Sequence, residues 1–100
     1  MVKLTVLYGQ PTDSAAFDKH YAEVHTPLVH KLSGLVRFEA AKVVGSPTGE
    51  QPDYYLIAEL YFENMEQFQA SMGSPEGRAT GKDVPNFASG GATMLLSEIS

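Results

Sequence analysis

Val2, Leu4, Val6 and Tyr8 alternate with Lys3, Thr5 and Leu7, a period of two that predicts an opening strand. Pro11-Thr12-Asp13 reads as a turn with Asp13 or Thr12 as a helix N-cap, and Phe17, Tyr21, Val24 and Leu28 then recur at helical spacing until Ser33-Gly34. Pro27 lies inside that helix, where its missing N–H and its ring predict a kink near His25-Thr26. Leu35 to Val44 is strand-like again, and Gly45-Ser46-Pro47-Thr48-Gly49 with Pro52 is a loop. Tyr54 to Phe62 alternates most clearly, with Leu56, Ala58, Leu60 and Phe62 on one face and Tyr55, Ile57, Glu59 and Tyr61 on the other. Asn64 caps a second helix bearing Met65, Phe68 and Met72, and Ser74-Pro75-Glu76 restarts a helical turn. Four glycines and a proline between Gly77 and Gly91 predict a short helix followed by an irregular loop around Asp83-Val84-Pro85-Asn86-Phe87, before a last strand from Ala92 to Ile99.

Strand, helix, strand, strand, helix, strand is the order of two split βαβ units. With right-handed crossovers it predicts an α+β fold, a ferredoxin-like βαββαβ plait whose four-stranded antiparallel sheet carries both helices on one face. The other face would expose Leu7, Tyr55, Ile57 and Tyr61, too much apolar surface to leave wet. A homodimer that buries this face and encloses a cavity between two sheets is therefore expected.

One hundred residues suit one domain, spanning 1–100, and a 43% hydrophobic content is that of an ordinary folded chain. Seven scattered Lys and Arg against twelve Asp and Glu give a net charge of −5, which argues against nucleic acid and anionic membranes as partners. The absence of cysteine removes disulfides, thiolate nucleophiles and thiolate metal sites. Apolar runs too short for a bilayer and an opening without a signal-peptide pattern lead to the expectation of a cytoplasmic protein.

Three histidines fall on the first helix, at positions 20, 25 and 30. A spacing of five turns an α-helical side chain by roughly 140°, so the three should diverge and no helical metal site is expected. By the same rotation His30 faces solvent, His20 lies at one margin of the apolar stripe, and His25 borders the core beside Tyr21. His25 reads either as a half-buried histidine bonded to a carbonyl or as a general acid/base. Gly77-Arg78-Ala79-Thr80-Gly81-Lys82-Asp83 fails as a phosphate loop, since its spacing is one residue short and no strand precedes it. No Rossmann fingerprint or nucleophile elbow is present, so no cofactor is expected. Arg37 and Glu39 read as members of a cross-strand ion pair. Tyr55, Glu59 and Tyr61 read equally as such packing or as an aromatic pocket wall for a small hydrophobic ligand.

Phe17 to Leu28 with its Tyr-x-x-x-His-x-Pro-Leu segment, Leu32-Ser33-Gly34-Leu35, Ser74-Pro75-Glu76-Gly77 and the late Asp83-Val84-Pro85-Asn86-Phe87 together resemble the EthD family of dimeric α+β barrel proteins. The resemblance spans essentially the whole chain. It implies a ferredoxin-like protomer, a homodimer enclosing a pocket, and a pocket histidine at His25. Members are named after a protein associated with bacterial degradation of ethyl tert-butyl ether and are often labelled reductases. Related domains act as polyketide cyclases or dehydratases, and the wider superfamily includes cofactor-independent monooxygenases and lactone isomerases. The expectation is a protein that binds a hydrophobic, aromatic or polyketide-like molecule, with His25 catalytic and Tyr21, Tyr55, Glu59 and Tyr61 contacting substrate. Its chemistry would be cofactor-independent acid/base or oxidoreductase-type, in a catabolic or secondary-metabolic pathway. The alternative is a non-catalytic binding or accessory protein. No nicotinamide or flavin motif accompanies the reductase label.

Overall fold

The two most regular strands pair at the centre of the sheet. In the computed structural model, which describes residues 1–100, β1 (Val2–Gly9) and β3 (Tyr54–Phe62) run antiparallel with Val2 opposite Phe62 and Val6 opposite Ala58. β2 (Leu35–Lys42) flanks β3 and β4 (Ala92–Glu98) flanks β1, which gives the antiparallel order β2-β3-β1-β4 of the ferredoxin-like plait. Val2, Val6, Tyr8, Leu56, Ala58, Leu60 and Phe62 are buried on one face, as their alternation predicts, and all the helices lie over that face.

One register slip breaks the alternation. Tyr8 stands opposite Leu56 but Gly9 stands opposite Tyr54, so Tyr55 is the extra residue of a bulge. Its ring meets Phe17 edge-on at 5.1 Å between centroids and its hydroxyl donates to Asp18 at 2.8 Å. Tyr55 thus packs on the helix side, not on the open face with Ile57 and Tyr61.

The first helix is three pieces: α1 (Ser14–His20), a π-turn over Tyr21–His25, and α2 (Thr26–Val29). The Thr26 N–H donates to the Tyr21 carbonyl five residues back. Pro27 supplies a cause, because it has no N–H to offer the preceding turn and its ring crowds the carbonyl four residues earlier. The widened turn moves the buried face by one position. Tyr21, His25 and Val29 are buried, whereas Val24, expected in the apolar stripe, is exposed.

α3 (Met65–Gly73) starts on Asn64, whose side chain accepts from the Gln67 N–H, and α4 (Pro75–Asp83) starts on Ser74, which accepts from Gly77 N–H. Gly77 lies so close to α3 that a Cβ there would sit 2.2 Å from the Ser71 carbonyl oxygen. Two caps and this close approach carry the helix to Asp83, where an irregular loop was expected. A single 3-10 turn, Val84–Asn86, follows and swings Phe87 into the core.

Candidate functional site

The π-turn decides where the histidines go. On an unbroken α-helix His20 and His25 would point apart, but a turn closed by an i to i−5 bond brings positions five apart onto one side. Both rings meet the same carboxylate, that of Asp83 at the end of α4. His20 Nε2 lies 2.8 Å from Asp83 Oδ1 and His25 Nδ1 lies 3.0 Å from Asp83 Oδ2. The divergence expected from helical rotation is therefore corrected for this pair, while His30 is exposed as expected. Phe87 packs beside both rings, its centroid 5.4 Å from His20 and 4.8 Å from His25.

Asp83 is 5% exposed and receives a third hydrogen bond, from Asn86 Nδ2 at 3.1 Å. Burial pushes its carboxyl up, but the bonds from His20, Asn86 and His25 together outweigh it and hold the group below the usual carboxylate range. His25 is 3% exposed, and burial pulls its imidazole below the ordinary value against the opposing pull of Asp83. At neutral pH it is an uncharged base.

Between the sheet and the helices lies a partly enclosed cavity of about 90 Å³, several times the space one water needs. Leu4, Val6, Val29, Leu60, Val84 and Met94 give it an aliphatic wall, and no Lys, Arg, Asp or Glu lines it. Tyr8, Tyr21 and His25 are also among the residues that line it. Burial pushes both phenols up, so they remain protonated. The Tyr21 hydroxyl is buried with the Tyr8 hydroxyl as its polar neighbour but makes no hydrogen bond of good geometry, and the Nε2 of His25 has no partner from the protein. The other such buried atom, Ser71 Oγ, belongs to the α3–α4 contact.

The expected pocket residues divide into three places. Tyr21 and His25 share the inner cavity. Tyr55 stands beside an open groove of about 500 Å³ between α1 and β2, where Asp18 is already held by Tyr55 and by Lys42 at 2.6 Å. Glu59 and Tyr61 lie on the open face of the sheet: Lys3 pairs with Glu59 at 2.8 Å, and Lys3 and Arg37 stand over the Tyr61 ring at 5.8 and 5.7 Å. Arg37 pairs with Glu39 on its own strand, so the cross-strand ion pair is Lys3–Glu59. This cavity lies within one protomer, under the helices, and is distinct from the cavity expected between two sheets of a dimer. Asp83 is the residue the pattern did not single out. A helix-ending carboxylate two residues before a proline offers no signal of its own, and only the fold brings it 58 positions back to His25.

The architecture is that of the ferredoxin-like α+β class. The EthD domain family matches residues 9–91, and the chain belongs to that family. It is 44% identical over 98 residues to an uncharacterized 11.0 kDa protein of the thcB-thcC intergenic region of Rhodococcus erythropolis, covering 98% of this chain and 94% of that one. The crystal structure of an ethyl tert-butyl ether D (EthD) family protein from Bacillus halodurans superposes with a TM-score of 0.93 at 43% identity, covering 100% of this chain and 99% of the other. The crystal structure of a dimeric protein of unknown function and ferredoxin-like fold from Bacteroides fragilis superposes with a TM-score of 0.70 at 18% identity, covering 98% of this chain and 95% of the other.

Proposed function

We propose that the cavity binds a small, neutral, largely apolar molecule carrying one oxygen function, and that His25 acts on it as a general base. The observation that carries this is an apolar cavity lined by Tyr21 and His25, residues whose hydroxyl and Nε2 make no hydrogen bond of good geometry to the protein. Such a cavity recognises its ligand through the few polar groups it leaves open. With no cation on the wall, an anionic ligand would be desolvated without compensation.

The chemistry these side chains supply is proton transfer. A phenol, or a carbon acid next to a carbonyl, gives its proton to His25 Nε2, and the electron pair left behind is drawn onto the oxygen. The Tyr21 O–H donates a hydrogen bond to that oxygen. The substrate is of the aromatic or β-dicarbonyl kind, and the reaction is an isomerisation, cyclisation or proton abstraction that opens a longer sequence.

A second copy of the chain covers the open face. Leu7 stands opposite Ile57 there, Leu95 lies on the same face opposite Thr5, and Leu95 is 54% exposed. All seven residues of the edge strand β4 are exposed. The fold neighbour described as dimeric supports this reading. Sedimentation should give twice the 10.8 kDa chain mass.

The test is a panel of activated phenols and β-dicarbonyl compounds assayed for binding and turnover. His25→Gln should leave the fold intact and lower turnover by about a hundredfold or more. Full activity in that variant would show that His25 is not the base, and binding without turnover in the wild type would leave a binding protein in place of an enzyme.

A further inference from the structure

Asp83 has both carboxylate oxygens engaged: Oδ2 faces His25 Nδ1, and Oδ1 faces His20 Nε2 and Asn86 Nδ2. An ionised carboxylate only accepts hydrogen bonds, so the ring nitrogen facing each oxygen must carry a proton. The proton of neutral His25 is then on Nδ1, and the lone pair is on Nε2, the nitrogen without a protein partner. The other possible tautomer would set two lone pairs against each other across 3.0 Å.

We propose that Asp83 is the positioning residue of the cavity: it fixes the ring and tautomer of His25 so that Nε2 presents a lone pair, and His20 holds the carboxylate from the solvent side. The proposal rests on the reading of His25 as the base and adds two residues to it. The burial gradient fits these roles, with side-chain exposures of 28% for His20, 6% for Asp83 and 4% for His25. So does the backbone. π-turns are rare, and here the visible effect of one is to align two histidines on one buried carboxylate. The groups that face His25 from the packed elements are Asp83 from α4, His20 and Tyr21 from its own helix, and Phe87 after the 3-10 turn.

Imidazole ¹⁵N shifts of the ligand-free labelled protein above neutral pH provide the test. His25 should show a protonated Nδ1 and a bare Nε2, and His20 a protonated Nε2. Asp83→Asn should lose the His25 preference and lower its titration midpoint, because the carboxylate that favours the imidazolium is gone. For any panel compound that wild type turns over, Asp83→Asn should reduce kcat by about tenfold or more with a much smaller change in KM. A wild-type His25 with its proton on Nε2 overturns the proposal, and this measurement decides even if the variant does not fold. A correct tautomer that Asp83→Asn abolishes, in a protein that binds and turns over no panel compound, upholds the positioning role and removes the base reading instead.

Discussion

The two faces of the sheet handle polar groups in opposite ways. On the open face Lys3, Glu59, Tyr61, Arg37 and Glu39 answer one another: each charge has a partner, and the Tyr61 hydroxyl donates to Glu39 at 3.4 Å. Under the helices His20, His25, Asp83 and Asn86 also answer one another, but the Tyr21 hydroxyl and His25 Nε2, on residues that line the apolar cavity, make no hydrogen bond of good geometry to the protein. Water satisfies a loose surface pair at little cost, whereas a buried polar atom without a bond costs free energy unless something else is there to meet it. Chemistry therefore belongs where polar groups are left unanswered, and not where every charge has its partner.

The sharpest way to break this comparison is to remove one large side chain from each face. Phe62 is 0% exposed on the helix side, and Phe62→Ala should cost about 3–5 kcal/mol in denaturant unfolding. Leu95→Ala on the open face should leave the unfolding of a single chain nearly unchanged but weaken self-association in sedimentation. Equal losses of chain stability from both would mean that the faces are equally packed.

Next in size is Asp83→Ala, which strips His25 of its buried acceptor and should cost about 1–3 kcal/mol. The same pair gives the stability a pH dependence. His25 titrates lower in the fold than its unfolded value of 6.5, so below that pH the unfolded chain takes up the proton first and stability falls with acidification. Asp83, also lowered, adds a further loss as pH drops below its unfolded value of 3.8. Melting temperatures measured from pH 8 to pH 5 should fall on acidification in wild type and be flatter in His25→Gln. A wild-type curve without slope across that range would contradict the burial of a neutral His25.

Tyr21→Phe sharpens the contrast from the other side. Deleting a buried hydroxyl that has no bond should leave stability unchanged or raise it by up to about 1 kcal/mol, while ligand affinity falls. A clear loss of stability would show that the hydroxyl has a partner within the protein. Smallest of all, Glu59→Gln should leave the unfolding midpoint within measurement error, since its partner Lys3 reaches solvent.

The alternation in Val2–Tyr8 and Tyr54–Phe62 and the caps at Asp13, Asn64 and Ser74 were enough to read the strand order and the face that meets the helices. They are local signals, carried by side-chain period and backbone hydrogen bonding. The placement of His25 beside Tyr21 was legible for the same reason. Tyr55 was not, because a bulge belongs to a pair of strands and cannot be counted along one. Asp83 was not legible either, because glycines around it weaken the helical pattern that in fact positions it.

Local pattern along the chain specifies the plait, its helix-facing core and a proline that strains the first helix at His25. How that strain resolves is set by packing between distant segments. A π-turn was one of several ways to accommodate Pro27, and packing against α4 is what brings the widened turn, with His20 and His25, onto Asp83. Periodicity assumes an unbroken helix, and a single added residue per turn reorients every side chain beyond it. The site lies just past that point, where local pattern no longer specifies direction and long-range contact does.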